Sequence, residues 1–122
     1  MQTVSSGEWK IMEFLWSAPR TLMELVHFLG ESEGWSKSTV ATMVRRMIEK
    51  DVISFETDGR TKTFYPTVTR EEVAAEETAS FLRRVYNGSI GMLVNAMADQ
   101  NGLTKEDIHE LYAILNEADK KL

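Results

Sequence analysis

The sequence has no cysteine, which excludes disulfides, thiolate metal sites and cysteine nucleophiles. Its two histidines, His27 and His109, lie far apart in the chain, so the close histidine spacings of zinc sites are missing. No apolar run approaches the roughly 18 residues that cross a bilayer, and the first residues have neither the basic nor the apolar region of a signal peptide. These absences predict a cytoplasmic protein with no cofactor and no membrane partner.

The net charge of −5 argues, taken alone, against a nucleic-acid partner. The charge is unevenly distributed, however. Residues 1–70 hold nine basic and nine acidic side chains, whereas residues 71–122 hold five and ten. Residues 36–66 carry six basic side chains against four acidic ones. This asymmetry favours a polyanionic partner for the first half and a different partner for the second.

The first fifty residues predict three short helices. Apolar residues at helical spacing run from Trp9 to Trp16 and stop before Pro19. Thr21 and Glu24 form a capping box that begins a second helix, which we expect to end at Gly30.

The third helix is predicted to begin at Ser36. Its apolar face consists of Val40, Met43, Val44, Met47 and Ile48. A short turn joins the second and third helices, which is typical of a helix-turn-helix.

The hydrophobic pattern then changes to a period of two. Alternating runs begin at Ile53 and end at Pro66, with Asp58-Gly59 between them. Asp-Gly in this position predicts a β-hairpin with a type I′ turn at these two residues. A helix-turn-helix followed by a hairpin with a basic tip indicates a winged helix, which we assign to residues 1–69.

Three more helices are predicted in residues 70–122: one over 70–86, an apolar one from Ile90 after a break at Asn87-Gly88, and one capped by Thr104. A unit of this size cannot bury its apolar faces alone, so we expect a second copy to cover them. The fold class is therefore mostly α, a winged helix followed by a helical dimerisation domain. Its predicted dimer contacts are Ile90, Leu93, Val94, Met97, Leu111 and Leu115.

The polar faces of the third helix and the hairpin tip supply the candidate DNA contacts. The first turns of a recognition helix reach base edges in the major groove, and hydroxyls, Lys and small apolar groups can read bases there. We therefore expect base contacts from Lys37, Ser38, Ala41 and Thr42, with Thr39 on the same surface, and phosphate contacts from Arg45, Arg46 and Lys50. Arg60 and Lys62 are candidates for backbone or minor-groove contacts.

Each of these sets has a simpler interpretation. Polar residues on a helix are often only its solvated face, and Lys or Arg on a hairpin discourages edge-to-edge aggregation. No carboxylate is placed beside a nucleophile, a base or a phosphate-binding loop, so the sequence does not predict an enzyme.

Several short motifs resemble, in order and spacing, those of a known family. They are Glu8-Trp9-Lys10-Ile11-Met12, Leu15-Trp16, Trp35-Ser36, Thr39-Val40, Thr42, Arg46, Gly59-Arg60, Tyr65-Pro66, Phe81-Leu82, Gly88-Ser89, Leu93-Val94-Asn95 and Asp107-Ile108-x-Glu110-Leu111. Together they resemble the penicillinase-repressor family, which includes bacterial β-lactamase and methicillin-resistance regulators and copper-responsive operon repressors.

The resemblance implies a homodimer whose winged helices bind operators with inverted TACA/TGTA half-sites and whose C-terminal helices form the interface. Copper-responsive members carry C-terminal cysteines, so a thiolate copper switch is excluded here. β-Lactam-responsive members are cut at an Asn-Phe bond after a sensor protease acts. The corresponding position is Asn95-Ala96, where the phenylalanine is replaced. Asp51 stands where the family often has glycine.

Two functions remain open from the sequence. The first is a DNA-binding transcriptional repressor that acts as a homodimer, which the basic third helix and hairpin favour. The second is a winged helix that serves only as a protein–protein interaction module, which the net acidic charge favours.

Overall fold

A computed structural model of the chain describes residues 3–100 and 102–122. The chain divides into two compact units between residues 80 and 81. Residues 1, 2 and 101 are not described. The helices are α1 (Ser6–Ser17), α2 (Leu22–Glu33), α3 (Lys37–Glu49), α4 (Arg70–Tyr86), α5 (Ile90–Asp99) and α6 (Lys105–Lys120), and the strands are β1 (Arg20–Thr21), β2 (Ile53–Asp58) and β3 (Thr61–Pro66). The expected architecture, a winged helix followed by a helical segment, is confirmed.

The first unit has a continuous apolar core. Helices α1, α2 and α3 bury one face each, and the sheet and the start of α4 complete the core. The buried hydrophobic side chains are Val4, Ile11, Met12, Leu15, Leu25, Leu29, Val40, Val44, Met47, Val52, Ile53, Phe64 and Val73. This core holds the face of α3 that the sequence predicted to be apolar.

Local capping determines where the helices begin. The Thr21 side chain accepts from the backbone N–H of Glu24 while the Glu24 carboxylate accepts from that of Thr21, as predicted. Ser36 caps α3 in the predicted way. The predicted end of α2 at Gly30 is wrong, because the helix continues to Glu33 and ends at Gly34, which adopts the left-handed conformation (φ +72°) that glycine allows.

The hairpin formed by β2 and β3, called the wing below, turns one residue later than predicted. Asp58 pairs with Thr61 in the ladder, so the two turn residues are Gly59 and Arg60. Gly59 has φ +64°, and Arg60 is not among the residues with positive φ. Glycine at the first central position is the pattern of a type II′ turn, so the type I′ turn at Asp58-Gly59 is wrong.

The strand β1 is not predicted by the sequence pattern. Its two residues pair antiparallel with β3, Arg20 opposite Phe64 and Thr21 opposite Thr63, so the sheet order is β1-β3-β2. A strand of two residues is too short to show an alternation of apolar and polar side chains. It is recognised only by its hydrogen-bonded pairing with β3.

The second unit has no buried side chain in α5 or α6. Among the described residues, ten of the twelve large hydrophobic side chains that are exposed lie in residues 81–122. The break before α5 occurs as predicted, with positive φ at Asn87 and Gly88. Because Val73 is buried in the core of the first unit, the two compact units divide within α4. The functional division into residues 1–69 and 70–122 stays a prediction.

Asp51 provides a test of the connection between α3 and the wing. It follows the end of α3 with φ +61°, a conformation that costs an L-residue about 1–2 kcal/mol. Glycine removes this cost but adds about 0.5–1 kcal/mol of unfolded-chain entropy. We expect Asp51→Gly to raise the free energy of unfolding by about 0.5–1 kcal/mol in urea titrations.

The matched control is Asp58→Gly, because Asp58 lies in an extended strand. That substitution should lower the free energy of unfolding by about 0.5–1 kcal/mol. Equal effects at the two positions would contradict the role assigned to backbone conformation at Asp51.

Candidate nucleic-acid interface

Helix α3 is held by its apolar face. Val40, Val44 and Met47 are buried, and they belong to the same core cluster as Leu25 and Leu29 of α2. Because a helix with one face in the core must expose the opposite face, the polar side chains of α3 face solvent. The structure therefore presents α3 as the second helix of a helix-turn-helix.

The polar residues predicted along α3 divide by exposure. Lys37, Ser38, Thr39, Arg45 and Arg46 are exposed, whereas Ala41 and Thr42 are half-buried. A half-buried side chain at the side of the helix extends less far toward a ligand in solvent than a fully exposed one does.

Three hydroxyls form a network at the start of α3. Ser36 Oγ accepts from the backbone N–H of Thr39 at 3.2 Å and donates to Thr39 Oγ1 at 3.1 Å. Ser36 Oγ also lies 3.2 Å from Ser38 Oγ. These contacts hold the side chains of Ser38 and Thr39, two of the predicted DNA contacts, at the start of the helix.

Four exposed cations among the described residues of the first unit have no internal partner. Within residues 3–100 and 102–122, the side chains of Lys37, Arg45, Arg46 and Arg60 form no hydrogen bond or ion pair. Other basic residues of the first unit are paired, for example Lys10 with Glu33 and Arg70 with Glu13. Within the described part of the first unit, the cations without an internal partner therefore lie on α3 and at the wing turn.

The wing carries its two predicted residues in different settings. Arg60 occupies the second turn position and is exposed. Lys62 lies in β3, with its Nζ 4.5 Å from the centre of the Phe55 ring, a cation–π contact that holds the side chain along the strand.

Lys50 differs from the other predicted phosphate contacts. Its Nζ donates to Glu8 Oε1 at 2.7 Å and to the Thr3 carbonyl at 3.2 Å. Burial raises the pKa of Glu8, but hydrogen bonds from Lys50 and Ser5 and the charge of Lys50 outweigh it and hold that pKa below its ordinary value. Lys50 thus has a structural role in this fold, and its contact with phosphate stays a prediction.

The sequence pattern does not predict Glu8 as the partner of Lys50. Ser5 and Glu8 form a capping box at the start of α1, and its Ser-x-x-Glu spacing is readable in the sequence. The link from Glu8 to Lys50, 42 positions away, is not.

Only three of the six predicted dimer contacts lie together in one groove of the chain. Val94, Met97 and Leu111 line a shallow groove between α5 and α6, together with Leu103 and Ile114. Leu93 is half-buried, while Ile90 and Leu115 are 67% and 61% exposed. At the candidate cleavage position in α5, Asn95 is exposed and Ala96 half-buried.

No helix in the described part of the chain is long and apolar enough to span a membrane.

Comparison with known proteins assigns the chain to a family. A sequence model described as "Penicillinase repressor" matches residues 4–117. The penicillinase repressor of Bacillus licheniformis is 30% identical over 93% of this chain and 90% of its own. The methicillin resistance regulatory protein MecI of Staphylococcus aureus is 25% identical over 93% of each chain.

Two solved structures resemble this one in fold. The solution structure of the DNA-binding domain of the repressor BlaI has a TM-score of 0.53 and 24% identity, over 57% of this chain and 85% of that chain. The crystal structure of the transcriptional regulator Tm0710 from Thermotoga maritima has a TM-score of 0.52 and 21% identity, over 96% of this chain and 75% of that chain.

The Glu8–Lys50 pair predicts a pH-dependent contribution to stability. Because the pKa of Glu8 is lowered on folding, the pair stabilises the fold above the ordinary glutamate pKa of about 4.3 and loses this effect as the pH falls through the lowered value. We expect Lys50→Met to reduce the free energy of unfolding by about 1–3 kcal/mol near neutral pH, measured by chemical denaturation.

The loss caused by Lys50→Met should be smaller at about pH 3 than near neutral pH, because protonation of Glu8 progressively removes the ionic contact. Lys37→Met is the control, since Lys37 is exposed and unpaired, and it should change stability by less than about 0.5 kcal/mol. A loss of the same size at both pH values would contradict the ionic role of Lys50.

Proposed function

The chain belongs to the penicillinase repressor family, a family of transcriptional repressors and not of enzymes, and we propose that it blocks transcription as a homodimer bound to an inverted-repeat operator. The winged helix of the first unit binds DNA in this account, and the exposed apolar helices of the second unit join two copies.

Four cations without an internal partner carry the DNA-binding part of the proposal. In a chain of net charge −5, the side chains of Lys37, Arg45, Arg46 and Arg60 lie exposed on α3 and the wing. Phosphates and the acceptor edges of bases are the partners that such cations find on DNA, and phosphate contacts add binding free energy through the release of condensed counterions.

The position of each residue along α3 suggests its role. Lys37, Ser38 and Thr39 lie in the first turn, where a recognition helix approaches base edges. Ala41 and Thr42 follow on the flank, where methyl groups can contact thymine. Arg45 and Arg46 lie one turn further on and are placed for phosphate contacts. Arg60 and Lys62 add backbone or minor-groove contacts from the wing.

The exposed apolar side chains of the second unit support the homodimer. Neither α5 nor α6 buries a side chain within its own chain, and large exposed apolar surfaces mark association sites. A second copy offers the same surface, which is the condition for a two-fold interface. Ile90, Met97 and Leu115 are the exposed members of the predicted contact set.

Two copies bring two α3 helices to two half-sites. Dimeric helix-turn-helix proteins read half-sites about 34–36 Å apart, one helical turn of DNA. The family resemblance supplies the half-site sequence, TACA and its inverse TGTA. We propose such an inverted repeat as the operator.

Release from DNA follows from loss of the dimer. A sensor protease that causes a cut at Asn95-Ala96 would divide α5 in its middle and destroy the interface. Each separated winged helix would then bind one half-site and lose the effective-concentration advantage of a linked pair, on the order of 10²–10⁴ in affinity. Such a cut switches the repressor off without touching a DNA contact.

The alternative function is a protein–protein interaction module. The chain's net acidity favours it, and so does the half-burial of Thr42 in the predicted reading surface. Binding that is insensitive to salt, or absent from DNA altogether, would select this alternative.

The division of roles along α3 predicts two classes of mutant. Arg46→Ala should weaken binding to operator and random DNA alike and reduce the slope of log K against log salt concentration by about 1. Lys37→Ala or Thr42→Ala should cost about 1–3 kcal/mol on the operator only. Fluorescence anisotropy at several salt concentrations measures both.

Lys105→Ala is the control for these variants, because Lys105 is an exposed cation on α6, outside the proposed DNA-binding surface. It should leave both affinities unchanged. If all three α3 variants reduced operator and random binding equally, the proposed division would be wrong.

The proposed interface predicts that one charge in the second unit separates the dimer. Leu115→Glu places a carboxylate on a surface that must be desolvated, so sedimentation velocity should show monomers at concentrations where the unmodified chain is dimeric. Met23→Glu is the matched control, since Met23 is 59% exposed but lies in α2, and it should remain a dimer. The reverse result would move the interface to the first unit.

A further inference from the structure

Three residues on one side of α4 attach its first half to the rest of the first unit. Arg70, Val73 and Glu77 are spaced i, i+3 and i+7, which places them on one helix face. Val73 is 1% exposed. Glu77 Oε1 accepts from the backbone N–H of Val4 at 2.8 Å, and both terminal nitrogens of Arg70 donate to the carboxylate of Glu13 in α1.

The Arg70 end of this attachment combines an ion pair with contacts to two aromatic rings. Its guanidinium carbon lies 4.8 Å from the ring centre of Trp16 and 5.9 Å from that of Trp9. Trp9 Nε1 donates to Glu13 at 2.7 Å, and Trp16 Nε1 donates to the Val68 carbonyl at 2.9 Å. A two-pronged contact with stacking on aromatic rings fixes the orientation of the arginine as well as its position.

The Glu77 end connects to the recognition helix. Val4, which donates to Glu77, is itself buried. The neighbouring carbonyl of Thr3 accepts from Lys50, the residue that caps the C-terminus of α3. One short N-terminal segment therefore joins α4 to the end of α3.

We propose that Arg70 and Glu77 are positioning residues that fix the direction in which α4 leaves the winged helix, and that they thereby determine which half-site spacing the dimer accepts. This inference rests on the proposed function. The two attachments lie seven residues apart, about 10.5 Å along the helix, with a buried residue between them. Two separated points constrain both the tilt and the rotation of α4, which a single point does not.

Operator spacing is sensitive to this constraint. Adding one base pair rotates a half-site by about 34° and moves it by about 3.4 Å, from about 10.5 base pairs per turn. Helix α4 extends to Tyr86, so its second half belongs to the segment that we propose to dimerise. A protein whose α4 exit is loosened should reach incorrectly spaced half-sites at less cost.

The test compares full-length variants on a series of DNA duplexes. Arg70→Met keeps the apolar stem over the tryptophans but removes the ionic contact, and Glu77→Met removes the oxygen that accepts from the Val4 backbone N–H with little change in side-chain size. Glu71→Gln is the control, because Glu71 is exposed and forms no hydrogen bond or ion pair within the described residues. Dissociation constants are measured for inverted repeats at the preferred spacing, for spacings longer and shorter by one and two base pairs, and for a single half-site.

We expect the unmodified protein and Glu71→Gln to lose on the order of tenfold or more in affinity at two base pairs from the preferred spacing. The double variant Arg70→Met/Glu77→Met should lose less than about threefold, while its half-site affinity stays within about twofold of the unmodified protein. A purely structural role would instead lower half-site binding and leave the spacing ratio unchanged.

Different results would contradict the positioning role of Arg70 and Glu77 and the proposed function. If the double variant keeps the spacing ratio of the unmodified protein, the positioning role is wrong and the proposed function stands. If the unmodified protein shows no spacing preference, the positioning role is also wrong. If it binds inverted repeats no better than a half-site, the proposed function fails and takes the inference with it.

Discussion

The burial of one face of α3 is the constraint on which the rest of the structure depends. Val40, Val44 and Met47 can be buried only if α2 and the sheet pack against that side of the helix. Once they do, Arg45 and Arg46 project from the other side of the helix, where they form no hydrogen bond or ion pair within the described residues. The packing of the core therefore also determines where the charges lie. The orientation of α3 that buries its apolar side chains is the one that exposes Arg45 and Arg46 to solvent.

The two units satisfy the hydrophobic effect in different ways. The first unit closes a core of its own, which includes the start of α4 through Val73. The second leaves its apolar side chains exposed, and a second copy is the partner we propose for them. This difference links folding to function, because a repressor that depends on a partner copy for part of its buried surface can be released from DNA by any event that separates the copies.

The features that the sequence predicted correctly are those decided within a few residues. Capping by Thr21, Ser36 and Thr104 involves a donor and an acceptor three positions apart, so the helix starts were predictable. The turn of the wing was misplaced because Asp58-Gly59 and Gly59-Arg60 both fit the local pattern, and pairing with the partner strand decides between them.

Contacts between distant residues were not predictable. The pair between Lys50 and Glu8, and the hydrogen bond from Val4 to Glu77, join positions 42 and 73 residues apart. No periodicity in the sequence specifies such pairs. They nevertheless determine which cations remain available to DNA and how α4 is attached, so part of the candidate site depends on them.

The central claim is that two copies of this chain bind one inverted repeat through their winged helices. The most direct measurement is the affinity of the full-length protein for a TACA/TGTA inverted repeat and for the same duplex with one half-site scrambled, at two salt concentrations. The account predicts a preference for the intact repeat on the order of 10²–10⁴, with both affinities falling steeply as salt rises. Equal affinities for the two duplexes, or affinities that salt does not change, would contradict it.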